Sequence, residues 1–526
     1  MGRCPYCNPP LSTPMLMLRL IAFCILLVFS SVQVVAEHPR NSTNERPNIL
    51  FAIADDWGWP HASIYGDPVC KTPTFDRVAK EGILFKHAFI SSPSCTPSRN
   101  AILTGQHFFR LGGGANLWSV LDTKHQSFMH ILDKAGYETG HMRKMWGPGD
   151  ASNWEIFPAG PKFKDFDTFL ATRDADKPFC FCFGAFDPHR GYEAGSGKKS
   201  GMDLDRIKLF GCFPDAETIR SDVADYYFEV QRFDREVGEA LNKLEELGEL
   251  DNTIVVVTGD HGMPFPRCKS NLYDSGARVP MAVRWPKHIK PGRVAEEFVS
   301  TTDLAPTFLE IAGVEAPKEM TGNSWMPIFD ESESKVDRSF VIFGKERHVP
   351  SQEAPDYGGY PMRAIRNVDF LLIENFRPDR WPNGTPNYKK AKIPYAWYAD
   401  TDNGPTKSYI DDNRDKDEEH KRAWELCFGK RPQLELYDVK TDPEQLTNLA
   451  SIPAYQDVLS RLRQKLHREL MAANDPRIKD SEAATKYFDA FKYLGSGPRH
   501  KSWKKKKKGG KKKKTGKESI VTEDKK

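Results

Sequence analysis

The chain has 526 residues, 39% of them hydrophobic and 28% charged, with a formal net charge of +4. That apolar share excludes a wholly disordered polypeptide, and the length suffices for one large core with a smaller domain beside it. The positive balance does not argue for nucleic-acid binding, because it sits at one end: residues from Arg499 onward carry +11, which leaves −7 for the rest, and no base-reading motif accompanies it.

At the N-terminus, Arg3 and Arg19 precede or open the apolar run "LIAFCILLVFSSVQVVA", which small Ala36 closes. This is the pattern of a secretory signal peptide over residues 1–36, with a mature start near Glu37. A single membrane anchor is the competing reading of the same run. Export to a periplasm, a lumen or the exterior follows from the first reading.

The segment "NILFAIADDWGW" is an apolar run of strand length that ends in Asp55 and Asp56. In open α/β sheets, ligands gather beyond the carboxyl ends of strands, so these acids stand where a site would form. A turn or helix cap is the plainer reading of an Asp pair.

Next comes "SSPSCTPSRNAILTGQ". Ser98 to Leu103 is expected to begin a helix, with its free N–H groups facing a loop that contains Cys95, and Arg99 adds a forked cation suited to an oxyanion. The leader takes three of the ten cysteines, leaving Cys70, Cys95, Cys180, Cys182, Cys212, Cys268 and Cys427. Seven is odd, so at least one lies outside any intramolecular disulfide; disulfides among the others stay open.

Further on, "IRSDVADYYFEVQRFDREVGEALNKLEELG" places Val223, Tyr226, Tyr227, Val230, Phe233, Val237, Leu241 and Leu244 at helical spacing, one face of a buried helix. The β-branched run in "NTIVVVTGDHG" then reads as a strand ending in Asp260 and His261. The strand, helix, strand order suits a mainly parallel sheet in an α/β fold. Asp55, Asp56, Asp260 and His261 would converge at one sheet edge, where three carboxylates and an imidazole require a divalent cation. Oxygen donors favour calcium or magnesium, and the imidazole admits manganese or another transition metal. Past the folded part, "KKKKKGGKKKKTGKESIVTEDKK" is too charged to pack. It reads as a disordered tail over residues 499–526, either a contact for polyanions or a membrane surface or a solubilising end.

"CTPSRNAILTG" resembles the Cys-x-Pro-Ser-Arg signature of type I sulfatases, and further segments are similar to that family's blocks in chain order. These are "NILFAIADDWGW", "GYETGHMRKMW", "FDPHRGY", "VVVTGDHGMPFPRCKSNLYDSGARVPMAVRWP", "TTDLAPTFLEIAG", "PMRAIRNVDFLLI" and "ELYDVKTDPEQLTNLA". "FDPHRGY" and "DHGMPFPRCKSNLYD" resemble most the N-sulfoglucosamine sulfohydrolase branch.

The resemblance implies an alkaline-phosphatase-like large domain over 48–330, its mainly parallel sheet flanked by helices, and a smaller C-terminal α+β domain over 331–494. It implies hydrolysis of sulfate esters or sulfamates of a sulfated carbohydrate. Cys95 would be oxidised to formylglycine by a formylglycine-generating enzyme; one hydroxyl of its hydrate attacks sulfur and the other expels sulfate. One divalent cation, Ca²⁺ as the oxygen donors favour, would be held by Asp55, Asp56, Asp260, His261 and residue 95 itself. Arg99, Lys144 and Lys269 would offset charge on the sulfuryl oxygens, and His189 would serve the leaving group.

Two positions depart from the family pattern. His261 stands where many relatives have Asn, and "RKMW" puts Trp146 where the family's "GKxH" segment has a histidine. Two competitors remain: a phosphate or phosphonate monoester hydrolase of the same fold, and an inactive sulfated-glycan-binding protein. Asn41 and Asn383 fit the N-glycosylation pattern. Trp57, Trp59, Trp118 and Trp146 would either stack on sugar rings or fill the core.

Overall fold

A computed structural model of the chain describes residues 46–503. The leader, Asn41 and the lysine-rich run after residue 503 lie outside them. Among the described residues no helix is long and apolar enough to cross a membrane.

The large sheet has eight strands: β1 (Asn48–Ala54), β2 (Ile83–Phe89), β3 (Glu138–Met142), β4 (Lys162–Phe163), β5 (Phe179–Gly184), β6 (Thr253–Gly259), β7 (Met281–Arg284) and β8 (Arg293–Ser300). Their order is β4-β3-β5-β1-β6-β7-β2-β8. Every pair is parallel except those that β7 makes with β6 and β2.

Strand β1 is buried on both faces, as a central parallel strand must be. Ile49, Phe51 and Ile53 enter one core cluster, and Leu50, Ala52 and Ala54 enter the other, which is the period-two alternation of a strand. The second cluster is covered by a long helix, α3 (Glu217–Glu246), on which all eight apolar positions at helical spacing are buried. Among the shorter helices that precede it are α1 (Pro73–Glu81) and α2 (Cys95–Thr104). Truncating a buried aromatic such as Phe51 to Ala would cost about 3–5 kcal/mol.

The strand "FCFCFG" of β5 sends Phe179, Phe181 and Phe183 to one face and Cys180 and Cys182 to the other. All seven cysteines among the described residues are buried thiols, and none forms a disulfide.

A second, antiparallel sheet follows in the order β12-β11-β10-β9. It comprises β9 (Phe340–Lys345), β10 (Met362–Asn367), β11 (Phe370–Asn375) and β12 (Leu434–Asp438). Helix α4 (Gln456–Ala472) lays Leu459, Leu462, Leu466 and Leu470 over Ile365 and Leu372. On the opposite side, Met362, Ala364, Leu371 and Ile373 join the large core. This is the smaller α+β part, and its inner face is continuous with the main core.

Candidate functional site

The register of β1 and β6 builds the centre of the site. Ala54 pairs with Gly259, so Asp55–Asp56 and Asp260–His261 leave the sheet side by side. The Asp56 N–H donates to Asp260 Oδ1 at 2.9 Å. Asp56 itself has φ of 74°, in the left-handed region that Asp tolerates better than most residues but that still stores strain.

Helix α2 starts at Cys95, three residues earlier than the sequence suggests, because the Ser98 N–H bonds to Ser94 O at 2.9 Å. Cys95 is therefore the first helical residue rather than part of the preceding loop. The helix has no solvent-exposed face; all ten of its residues are buried. Gly147 explains how tightly the Cys95 segment is held, since a Cβ there would meet Thr96 Cα at 2.4 Å.

Cys95 is 3% exposed. Its Sγ lies 3.3 Å from His261 Nε2 and 3.7 Å from Asp55 Oδ1. Burial pushes the thiol pKa up, with Lys144 and Lys269 opposing. His261 Nδ1 is 3.0 Å from the Gly262 carbonyl oxygen, which can only accept, so Nδ1 carries the proton of the neutral ring. Its Nε2 lone pair then faces Asp56 Oδ1 at 3.2 Å and Asp260 Oδ1 at 3.6 Å. Asp56 Oδ1 is buried without a hydrogen bond.

Lone pairs aimed at one another in this way fit a bound cation. Ligand atoms of Asp55, Asp56, Cys95 and His261 all lie within 4.8 Å of one another. Asp260 stands at the edge of that group; its Oδ1 takes the Asp56 N–H and its Oδ2 takes Arg99 Nε at 2.8 Å.

The expected cations surround the acids. Lys144 Nζ donates to Asp55 Oδ2. Lys269 Nζ bonds Asp56 Oδ2 at 2.9 Å and Asp402 Oδ2 at 2.8 Å. Burial alone would raise the Asp55 pKa, but Lys144, His189, Arg99 and Lys269 hold it well below the carboxylate range. Burial would lower Lys144, yet Asp55 and Cys95 leave it raised.

Arg99 is fully buried and is used within the protein: it bonds Asp260 and the Lys144 carbonyl and lies 3.6 Å from Asp55 Oδ1. His189 has a side chain 35% exposed, with Nδ1 on its neighbour's carbonyl and Nε2 4.0 Å from Asp56 Oδ2.

Two groups escaped the sequence reading. Asp402 comes from the long connection between β11 and β12 and carries no motif; only its place among acids in "ADTDNGP" hints at it. His348 follows β9 in "GKERHVP" and reaches Ser94 Oγ with Nδ1 at 2.8 Å. The tryptophans divide as packing dictates. Trp57 and Trp146 are buried, Trp146 Nε1 donating to Asn100 Oδ1 at 2.6 Å, while Trp59 and Trp118 are half-buried. Asn383 is fully buried, bonded to Cys427 O and Asn271, so the glycosylation expected there is excluded by the fold.

Comparison with known proteins agrees with this geometry. The sulfatase family model matches residues 47–156 and 161–314. The chain is 28% identical over 458 residues to an ulvan-active sulfatase of Formosa agariphila, covering 83% of this chain and 82% of that one. It is 29% identical over 482 residues to the N-sulphoglucosamine sulphohydrolase of Homo sapiens, covering 82% and 91%. Two solved structures share the fold. One, in complex with its substrate D-glucosamine-2-N,6-O-disulfate, aligns with a TM-score of 0.58 at 21% identity over 83% of this chain and 99% of that one. A phosphonate monoester hydrolase of Silicibacter pomeroyi aligns with a TM-score of 0.60 at 19% identity, over 81% and 96%.

Proposed function

The chain belongs to the sulfatase family and is a sulfuric ester hydrolase, and we propose that it removes sulfate from esters or sulfamates of a sulfated carbohydrate, with residue 95 as the nucleophile. The carbohydrate class is supported by relatives named for ulvan and for N-sulphoglucosamine. One observation carries the mechanism: Cys95 Sγ sits at the first residue of α2, 3.3 Å from His261 Nε2, where a nucleophile, a cation site and free helix N–H groups coincide.

In this reading a formylglycine-generating enzyme converts Cys95, and Asp55, Asp56, Asp260 and His261 hold one divalent cation, Ca²⁺. When bound, such an ion supplies Lewis acidity toward a sulfate oxygen and eases deprotonation of the nucleophile. The chain's own groups do the remainder. Lys144 and Lys269 are fixed by carboxylates before substrate arrives, so they stabilise negative charge on the sulfuryl group without reorganising. Arg99 pins Asp260 and orients the acids. His189 carries its neutral-state proton on Nδ1, which leaves Nε2 to take a proton and deliver it to the leaving group.

The residues 48–330 form the catalytic domain of this proposal, and 331–494 a smaller domain that closes one side of it. Export through the leader places the enzyme where sulfated polysaccharides and the lysine-rich tail can meet.

The test combines mass and turnover. Protein from its own host is expected to show the peptide with Cys95 lighter by about 18 Da, the difference between a thiol and an aldehyde side chain, and to release sulfate from N-sulfated or O-sulfated sugars. An unmodified thiol with no release overturns the proposal. A kcat/KM for aryl phosphate above that for aryl sulfate would assign the chain to phosphoryl substrates.

A further inference from the structure

The segment Lys345–Val349 packs beside Cys95 through Val349, and its charged side chains find partners within the fold. Lys345 Nζ bonds Asp400 Oδ2 at 2.8 Å, and Asp400 Oδ1 takes the Val349 N–H at 2.8 Å. Glu346 accepts from Arg363 at 2.7 Å and from Arg477 at 3.0 Å. Arg347 donates to the carbonyls of Asp489 and Phe491. Val349 packs in one apolar cluster with Cys95, Leu117, Ala396, Ala399 and Tyr493. The segment is therefore held from several sides, and its position beside residue 95 is fixed.

His348 is the exception. It is 4% exposed, and Nδ1 is tied to Ser94 Oγ at 2.8 Å. Ser94 is the N-cap residue of α2, a position where a serine hydroxyl ordinarily caps the helix, yet it makes no capping bond and serves His348 instead. The other ring nitrogen, Nε2, makes no hydrogen bond among the described residues and is not among the buried polar atoms sealed from solvent. After burial, the charges that the ring feels most are those of Lys269, Asp402, Lys345 and His261. Other histidines, among them His61, His107 and His141, also leave one nitrogen unpaired, but theirs are sealed from solvent. This one is oriented by one nitrogen and keeps the other free beside the site.

We infer that His348 is a substrate-contacting residue, its Nε2 hydrogen-bonding the sugar next to the sulfuryl group while Ser94 fixes the ring. Burial and Lys269 hold its pKa well below the usual histidine range, so the contact is made by a neutral imidazole. The inference rests on the sulfatase reading, and deepens it by naming a group from the C-terminal part that distinguishes a sugar from a simpler ester.

Two isosteric variants separate contact from structure. In His348→Asn the amide can reach Ser94 but not the position of Nε2; in His348→Gln the amide reaches that position but not Ser94. Kinetics are compared on an N-sulfated glucosamine and on an aryl sulfate that lacks the sugar, after peptide mass confirms equal modification of residue 95. The expected result is that His348→Asn lowers kcat/KM for the sugar at least about tenfold further than for the aryl sulfate, and that His348→Gln restores most of the loss. A parallel fall on both substrates, or a glutamine variant no better than the asparagine one, overturns the assignment. Wild-type protein that releases sulfate from neither compound counts against the sulfatase reading instead. Affinity then decides: a Kd for the sulfated sugar weakened by His348→Asn supports the contact, and an unchanged Kd overturns it.

Discussion

Lys269 Nζ and Asp402 Oδ2 are 2.8 Å apart, in an ion pair that ties the connection between β11 and β12 to the acids at the carboxyl end of β1. Because Lys269 also bonds Asp56 at 2.9 Å, its ammonium sits between two carboxylates that would otherwise repel. Asp56, His189 and Asp402 form a second group of potential metal donors, and the lysine already supplies the positive charge that this group needs. Burial disfavours the Asp402 carboxylate, but Lys269 and His189 keep it ionised.

Asp402→Asn should therefore lower activity without unfolding the protein. The variant keeps an oxygen acceptor for Lys269 but loses the charge that holds the ammonium in place. A charge-assisted hydrogen bond of this kind is worth about 2 kcal/mol, or roughly thirtyfold in kcat/KM. Kinetics on a sulfated sugar check the prediction, with a thermal melt alongside to show that the variant is folded.

The nucleophile makes a second prediction. A formylglycine hydrate has two hydroxyls, whereas serine has one, so Cys95→Ser can accept a sulfuryl group but has no second hydroxyl to expel it. Incubation with substrate should leave that variant heavier by about 80 Da, the mass of one SO₃ unit, with one desulfated sugar freed per chain and no free sulfate. Cys95→Ala should show neither mass gain nor release. Continued turnover by the serine variant would place the nucleophile elsewhere.

The strands and the long helix were legible because their residues repeat with the period of their structure. The runs ending in Asp55 and Asp260 declared both the strands and the level at which they end. What sequence could not give was α2's start, because Cys95, Thr96 and Pro97 look like a loop and only Ser94 O, fixed by tertiary packing, begins the helix. Asp402 and His348 were invisible for a different reason: each reaches the site across more than a hundred residues of chain, and nothing periodic marks such an arrival. Trp146 illustrates the converse. It stands in a motif segment, yet its indole is spent on Asn100 and the edge of Phe157.

Cation binding should appear as stability as well as activity. A ligand that binds only the folded state at about a hundred times its Kd adds about 2.7 kcal/mol. Chelator-treated protein is expected to melt lower and to recover with Ca²⁺, and Asp56→Asn should abolish the recovery because Asp56 Oδ1 is the buried oxygen with no hydrogen bond. Recovery with Mn²⁺ but not Ca²⁺ would assign the ion to the softer class that His261 also suits.

Asp234 on α3 sets a pH dependence far from the chemistry. Its oxygens take the N–H groups of Thr74 and Phe75, at 3.0 and 2.8 Å, in the first turn of α1. Burial raises its pKa from 3.8 to about 6, with those two N–H groups opposing. The folded state thus holds this proton more tightly than the unfolded chain. The stability it contributes is fully present below about pH 4 and is lost as pH rises through 6, a change of about 3 kcal/mol for two pH units. Asp234→Asn cannot titrate, so its unfolding free energy, measured in urea between pH 4 and 6, should decline less steeply than that of the wild type. Its absolute stability should be lower at pH 4, because one amide N–H group would face a backbone N–H. Equal slopes for the two proteins would show that Asp234 does not exchange its proton in that range, and that the cap on α1 works as a permanent carboxylate.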